Sequence, residues 1–273
     1  LPVKLSSANS INIGRLAPQI TYYFKAYRDL LERGQIRLGD EVNFSVPTGN
    51  FGDILAGYLA KKLGLPVGKL ICASNANNVL TDFIGTGVYD RRRPLHKTDS
   101  PSMDILVSSN LERLLYLMSG DTALVAELME RLDKDGVYTV PEALLSQIQE
   151  QFWAGCCDDK AGAEAIARVF REKGYLCDTH TAAGWVVAEQ YVNATGDQRP
   201  MVVLSTASAY KFPAAVLSAL GGDTTGDEFT LMERLESLTG VKIPGNLAGL
   251  RQKPERHTGV IDKEDMPAFV LAL

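Results

Sequence analysis

Apolar and polar positions follow two periods along the chain, one typical of buried strands and one typical of amphipathic helices. A strand-like run at residues 41–46 and short apolar runs at residues 69–73 and 201–205 predict strands, and alternation predicts a further one at residues 2–6. Apolar residues at three- and four-residue spacing predict a long helix over about residues 13–33. The same spacing predicts later helices at residues 54–63, 75–85 (after a loop), 103–118, 123–132, 141–152, 162–173, 182–194, 212–220 and 231–238.

Strands and helices alternate at both ends of the chain, which predicts an α/β fold. The expected architecture is a three-layer, mostly parallel sheet with helices on both faces. Residues 119–175 show helical patterns without a convincing strand and are interpreted as a helical insertion. This divides the chain into three parts. Residues 1–118 form an α/β portion, residues 119–175 the insertion, and residues 176–273 the rest of the α/β domain and a C-terminal tail.

A glycine-containing loop at residues 47–53 lies between a predicted strand and a predicted helix. Gly49 and Gly52 permit a tight turn and the close approach of a ligand to the backbone. The loop N–H groups and the positive end of the helix dipole would converge on one point, which predicts an anion site. An ordinary turn between a strand and a helix is the alternative interpretation.

The strand at residues 201–205 also ends in hydroxyl side chains. Ligands of open parallel sheets bind at the carboxyl ends of the strands. Thr206 and the loop at residues 47–53 would then face one crevice and contact one bound molecule. The alternative is that the Thr206 hydroxyl bonds only to nearby backbone.

Polar residues at two predicted helix starts are further candidates. Asn9, Ser10 and Arg15 would suit a phosphate or a carboxylate, although surface exposure is the default for a single arginine. His180, which follows Asp178 closely, could act as a general acid or base. A histidine that makes structural hydrogen bonds is the alternative.

Composition narrows the classes of protein that fit. The 273 residues carry a net charge of −5, so no basic footprint for nucleic acid is present. The sequence contains no secretory signal and no apolar run of about 18 residues, as a membrane span needs. Four cysteines without CxxC or metal-ligand spacing predict reduced thiols in a cytoplasmic protein without a metal. A monomer and a homodimer both stay open.

Several motifs, taken together and in order, resemble threonine synthase from about residue 5 to residue 250. They are Asn9-Ser-Ile-Asn-Ile-Gly-Arg15 with Pro18-Gln-Ile-Thr-Tyr-Tyr-Phe24, Val46-Pro-Thr-Gly-Asn-Phe-Gly-Asp53, Ala73-Ser-Asn75 with Asp82-Phe83 and Thr86-Gly87, Ser100-Pro-Ser-Met-Asp-Ile-Leu106, Asp178-Thr-His-Thr-Ala182, and Leu204-Ser-Thr-Ala-Ser208 before Lys211-Phe212-Pro213. Each motif is weak by itself. The ordered set is specific.

The resemblance implies a pyridoxal-phosphate (PLP) enzyme of fold-type II, with a tryptophan-synthase-β-like architecture. Threonine synthase is a lyase that converts O-phosphohomoserine and water to threonine and phosphate. The resemblance places the cofactor phosphate on the loop and the pyridine nitrogen beside Thr206. The implied cofactor-binding residues are Gly49, Asn50, Phe51, Gly52 and Thr206, and the implied substrate-binding residues are Asn9, Ser10, Arg15 and Asn50.

Departures from the family are equally informative. The sequence reads Ser208-Ala209-Tyr210 where the family usually has His-Pro-Ala, and Thr179 replaces a proline. It also lacks the family's Phe-Lys-Asp segment with the Schiff-base lysine and its Ser-Gly-Asp-Thr-Gly loop. The lysines that are present, such as Lys211, fit helix surfaces or ends.

The chain therefore resembles the C-terminal part of a threonine synthase, and its opening without methionine suggests a piece of a longer protein. No catalytic residue is assigned, and the isolated chain is predicted to be inactive. Another fold-type II enzyme, such as a serine or threonine dehydratase, and a non-catalytic phosphate-binding module are the alternatives.

Overall fold

The computed structural model describes Asn9, residues 11–256 and residues 258–272. Its strands are β1 (Val42–Pro47), β2 (Val67–Ser74), β3 (Val88–Asp90), β4 (Val137–Thr139), β5 (Phe152–Cys156) and β6 (Met201–Val203). Four of them form a parallel sheet in the order β5-β2-β1-β6. The strands β3 and β4 form a separate antiparallel pair. The predicted strand at residues 2–6 lies outside the described residues.

Most of the helices lie at predicted positions, although α12 and α13 were not predicted. They are α1 (Ile13–Leu16), α2 (Ile20–Glu32), α3 (Gly52–Lys62), α4 (Val79–Thr86), α5 (Leu111–Ser119), α6 (Thr122–Lys134), α7 (Glu142–Gln151), α8 (Asp159–Lys173), α9 (Thr179–Thr195), α10 (Pro213–Ala219), α11 (Glu228–Thr239), α12 (Gly245–Ala248) and α13 (Met266–Ala272). A 3-10 turn at Ala17–Gln19, which contains Pro18, separates α1 from α2. The long helix predicted from residue 13 is therefore two helices with a turn between them.

Helices cover both faces of the sheet, as the α/β prediction required. Successive residues of a strand point to opposite faces. Leu70 and Cys72 of β2 pack in the core that contains α3, α4 and α7. Ile71 and Ala73 pack on the other face against α9, which contacts all four strands. The three-layer parallel fold is confirmed.

Two predictions about secondary structure are wrong. The segment at residues 119–175 contains β5, which pairs with β2 in the main sheet from Leu70↔Phe152 to Ser74↔Cys156. The prediction of a purely helical segment was therefore wrong. A short strand directly after a helix has too few residues to give a recognisable periodicity. The helix predicted at residues 103–118 begins only at Leu111, since residues 104–110 form an irregular connection. The three-part division of the chain stays a prediction.

The four cysteines are free thiols. Burial raises the pKa of Cys72, Cys157 and Cys177 to about 12, which leaves these thiols unreactive. No group of three or more His, Cys, Asp or Glu side chains that could hold a metal occurs in the described residues. Within the same part of the chain, none of the helices has the length and apolar character to cross a membrane.

Candidate functional site

The loop between β1 and α3 contains Phe51, the one residue other than glycine with a positive φ in the described chain. Its φ is 64°, and it immediately precedes the first residue of α3. A left-handed conformation costs a residue with a side chain roughly 1–2 kcal/mol. The ring is 1% exposed and lies 5.7 Å from the Phe152 ring, so packing in the core holds the strained backbone.

The carbonyl groups of this loop are held by residues just before α5. Ser108 Oγ donates to Gly49 O at 2.7 Å. Asn110 donates to Asn50 O from its backbone N–H at 3.1 Å and from Nδ2 at 2.9 Å. The C=O and N–H of a trans peptide point in opposite directions. These bonds therefore turn the N–H groups of Asn50 and Phe51 away from Ser108 and Asn110.

The N–H groups of residues 49–54 donate to no atom of the described chain. Those at the start of α3 have no partner within the helix, as at any helix N-terminus. The helix adds a partial positive charge of about half an elementary charge at the same place. Several converging N–H donors beside a helix start fit a phosphate group.

Gly49 is required by the close approach of a second chain segment. A Cβ at this position would lie 2.6 Å from the carbonyl oxygen of Ser102, in the 3-10 turn Pro101–Met103. That distance is too short for any side chain without a backbone shift. Gly52 is less restricted, because a Cβ there would be 3.5 Å from Asn110 Nδ2.

His180 connects α9 to the turn that lies against Gly49. Its Nε2 accepts from the backbone N–H of Ser102 at 3.1 Å, and its Nδ1 lies 3.1 Å from Asp178 Oδ1. Since Nε2 accepts, the ring proton is assigned to Nδ1, which donates to Asp178. Both nitrogens have protein partners, which favours the structural interpretation of His180 over a general acid or base.

Asp178 supports this arrangement from within the core. Its side chain caps α9 by accepting from the N–H groups of His180 at 2.9 Å and Thr181 at 3.4 Å. Burial raises the pKa of the Asp178 carboxyl, but hydrogen bonds from His180 and Thr181 outweigh it and lower the pKa overall. Asp178 is therefore a carboxylate that fixes the orientation of the imidazole.

Asp53, in the first turn of α3, has a strongly perturbed carboxyl. Burial raises its pKa to about 6, and a hydrogen bond from the Tyr23 hydroxyl opposes that rise. The Tyr23 oxygen lies 3.2 Å from Asp53 Oδ1 and 2.7 Å from its carbonyl oxygen. Above about pH 6 this carboxylate adds negative charge beside the N–H donors of the loop.

These segments enclose a cavity of about 240 Å³ at the carboxyl ends of β1 and β6. Its lining consists of Gln19, residues 47–54, Ser102, Met103, His180, Thr206, Ala207 and Lys211. The structure thus brings Thr206 into one cavity with Gly49, Asn50, Phe51 and Gly52. Their roles toward a ligand stay predictions.

Of the residues predicted for substrate phosphate, Asn50 lines this cavity, and Asn9 and Arg15 do not. Ser10 lies outside the described residues. Asn9 and Arg15 are exposed near α1, where Asn9 Oδ1 accepts from the N–H of Ile11 at 3.1 Å. Their contact with a substrate also stays a prediction.

Sequence reasoning missed four residues that build the site. Ser108 and Asn110 were assigned to the interior of the helix predicted at residues 103–118, and were therefore not considered as site residues. Hydroxyl and amide residues before an apolar run often mark a helix start, and this signal could have identified them. Ser102 was seen only within a motif. Lys211 was expected on a helix surface or end, but it belongs to the 3-10 turn Ala209–Lys211 and lines the cavity.

Comparisons with known proteins agree with the geometry. Residues 181–270 match the family model "Threonine synthase, C-terminal". The chain is 39% identical over 259 residues to threonine synthase from Pseudomonas aeruginosa, covering 93% of this chain and 50% of that protein. It is 48% identical over 218 residues to human threonine synthase-like 1, covering 79% of this chain and 29% of that protein.

A crystal structure of PLP-bound threonine synthase from Brucella melitensis superposes with a TM-score of 0.78 at 40% identity. The match covers 92% of this chain and 49% of that one. A parallel α/β sheet with a glycine loop at the N-terminus of α3 thus defines the fold of PLP enzymes of fold-type II. Within this class, the chain belongs to the threonine synthase family, which is PLP-dependent. It spans about half the length of the threonine synthases it matches.

Proposed function

We propose that this chain forms the side of a threonine synthase active site that holds the phosphate group of PLP. The observation that carries the proposal is that the N–H groups of residues 49–54 donate to no atom of the described chain. The bonds from Ser108 and Asn110 turn two of these groups, those of Asn50 and Phe51, away from Ser108 and Asn110. A phosphate group satisfies such donors and the dipole of α3 together. The residues of the loop fit this group because Gly49 leaves no side chain at the contact with Ser102.

Thr206 completes the proposed cofactor site from the end of β6. Its hydroxyl would bond to the pyridine nitrogen of the ring. A neutral hydroxyl holds a proton on that nitrogen less firmly than a carboxylate would, which moderates the electron demand of the ring. PLP, when bound, supplies the electron sink for chemistry on an amino acid.

The whole protein is proposed to convert O-phospho-L-homoserine and water to L-threonine and phosphate in the cytoplasm, as a step of threonine biosynthesis. Asn9, Ser10, Arg15 and Asn50 are proposed to contact the substrate. Residues 1–273 contain no Phe-Lys-Asp segment, so we expect them alone to bind ligands without forming threonine. The same observation favours a second candidate, a phosphate-binding module without catalysis.

The first experiment measures PLP binding by equilibrium dialysis for the wild type and for Gly49→Ala. The new Cβ would meet Ser102 O, so the loop must move, and we expect PLP affinity to fall by about tenfold or more. Gly85→Ala is the matched control, since a Cβ there meets nothing within 4 Å and lies in α4.

Pyridoxal, which lacks the phosphate group, distinguishes binding of the phosphate by the loop from binding of the pyridine ring. It should bind much more weakly than PLP to the wild type and should bind equally to wild type and Gly49→Ala. Equal PLP affinity in wild type and Gly49→Ala would show that the loop does not hold the phosphate. A chain that binds inorganic phosphate but not PLP would favour the non-catalytic module.

A further inference from the structure

Lys211 provides the one lysine or arginine side chain among the described residues that line the 240 Å³ cavity. Asp53 is the one acidic residue there, and it sits under the loop with Tyr23 as its hydrogen-bond donor. Lys211 is exposed, and its ammonium makes no ion pair with the described residues. By contrast, Lys25, Lys134, Lys242 and Lys263 each pair with a carboxylate on the surface.

The backbone that carries Lys211 is fixed by buried neighbours. Ala209 and Tyr210 are 5% and 4% exposed, and the Tyr210 hydroxyl donates to the carbonyl of Val241. The N–H of Lys211 donates to Ser208 O at 2.9 Å, which closes the 3-10 turn. The lysine is thus presented from a rigid turn that leads into α10.

The Lys211 side chain lies over the aromatic ring of Phe212, which packs beside His180 of the cavity lining. Lys211 Nζ lies 5.3 Å from the centre of the Phe212 ring, and that ring lies 4.8 Å from the His180 ring. The negative face of an aromatic ring attracts an ammonium group. The Lys211 ammonium therefore lies between the Phe212 ring and the wall of the cavity, where it can meet an anion.

The loop and the lysine come from different connections of the sheet. The loop after β1 offers backbone donors for one phosphate, and Lys211 follows β6. The substrate proposed above carries a second phosphate, which would enter a cavity whose other charged side chain is acidic. A compact cation with three donors is suited to such a group.

We propose that Lys211 binds the phosphate group of the substrate, as an anion site separate from the donors at residues 49–54. This assignment rests on the proposed function, because it needs the loop to be occupied by the phosphate of PLP. It adds a recognition residue to Asn9, Ser10, Arg15 and Asn50, and it gives the cavity a positive charge beside Asp53.

The experiment measures binding of inorganic phosphate to residues 1–273 in the presence of saturating PLP, which blocks the loop. We expect Lys211→Gln to weaken this phosphate binding by about tenfold, and to change PLP affinity by less than about threefold. Lys211→Arg should keep phosphate affinity within about threefold of the wild type. Lys173→Gln, at the exposed end of α8, is the control and should change neither. Circular dichroism checks that all variants fold.

Three results would overturn the assignment. They are equal phosphate binding by Lys211→Gln and the PLP-loaded wild type, a loss of PLP affinity instead of phosphate affinity, and no second phosphate bound by the wild type. Borohydride trapping of PLP on Lys211 would also overturn it, since the lysine would then be a nucleophile. If the wild type does not bind PLP at all, the proposed function fails. Phosphate titration of the chain without PLP then tests the role of Lys211 separately. Equal phosphate affinity in the wild type and Lys211→Gln would show that Lys211 does not bind phosphate.

Discussion

At the scale of single residues, the loop after β1 has a strained backbone conformation, N–H donors that could bind an anion, and a carboxylate close to those donors. Phe51 holds a left-handed backbone, and Ser108 and Asn110 hold the carbonyl groups. Asp53 opposes the anion site, because its carboxylate would lie in the same helix turn as the donors. The pKa of about 6 means that Asp53 changes charge close to neutral pH.

Asp53 should make stability fall as pH rises. Its folded pKa lies above the ordinary value of 3.8, so its contribution is fully present below about pH 4 and is lost as pH rises through 6. Asp53→Asn removes this dependence. Relative to the wild type, the variant should gain free energy of unfolding between pH 4 and pH 7, by up to about 3 kcal/mol.

Urea denaturation at pH 4 and pH 7 measures this gain. Asp133→Asn, an exposed carboxyl on α6, serves as the control and should show no comparable pH-dependent difference. A constant difference between wild type and Asp53→Asn across this range would mean that Asp53 titrates normally.

At the scale of elements, α9 joins the sheet to the site. It packs across all four strands, and its first turn carries His180, which holds Ser102 against the Gly49 loop. The loop after β1 and the first turn of α9 thus meet a third segment at residues 101–103. The position of the turn at residues 101–103, and through it that of the loop, depends on the start of α9.

Replacement of His180 tests this dependence. His180→Leu leaves the N–H of Ser102 and the Asp178 carboxylate without their partner, which costs about 1–3 kcal/mol of stability. Because the turn is then free to move, PLP affinity should also fall. His180→Gln keeps an acceptor near the position of Nε2 and should retain more of both. Urea denaturation and PLP dialysis measure the two effects, and unchanged PLP affinity in His180→Leu would reject the link.

At the scale of the molecule, β6 is an edge of the described sheet, and an open cavity lies beside each of its faces. One cavity of about 770 Å³ is lined by α9 and by Met201 and Val203. Another of about 510 Å³ is lined by α2, Val202 and Leu204. The chain covers about half of each threonine synthase that it matches, so the remaining half of those proteins has no counterpart among these residues.

Catalysis should therefore be absent from residues 1–273. Purified chain given PLP and O-phosphohomoserine should form no threonine above background, because no described lysine has the family's Phe-Lys-Asp context. Chromatographic detection of threonine measures this, with the Pseudomonas aeruginosa threonine synthase as the positive control. Threonine formation by this chain would instead show that one of its own lysines can replace the missing one.

Local patterns were enough to predict most elements and the loop. The strand-like run at residues 41–46 and the helical period after it placed Gly49 and Gly52 between β1 and α3. Local patterns did not predict β5, which has five residues and follows directly after α7. Such a strand is recognised by its hydrogen bonds to β2, which are contacts distant in sequence.

The order of elements, the glycine loop and the likeness to threonine synthase could all be read from neighbouring residues. They depend on short-range periodicity, on backbone conformations that favour glycine, and on motifs preserved in order. Tertiary structure alone decided the direction of the loop N–H groups, the partners of His180 and the place of Lys211 in the cavity wall. Apart from the bond between His180 and its near neighbour Asp178, these features result from bonds or packing between residues far apart in the sequence, and no local pattern records such contacts.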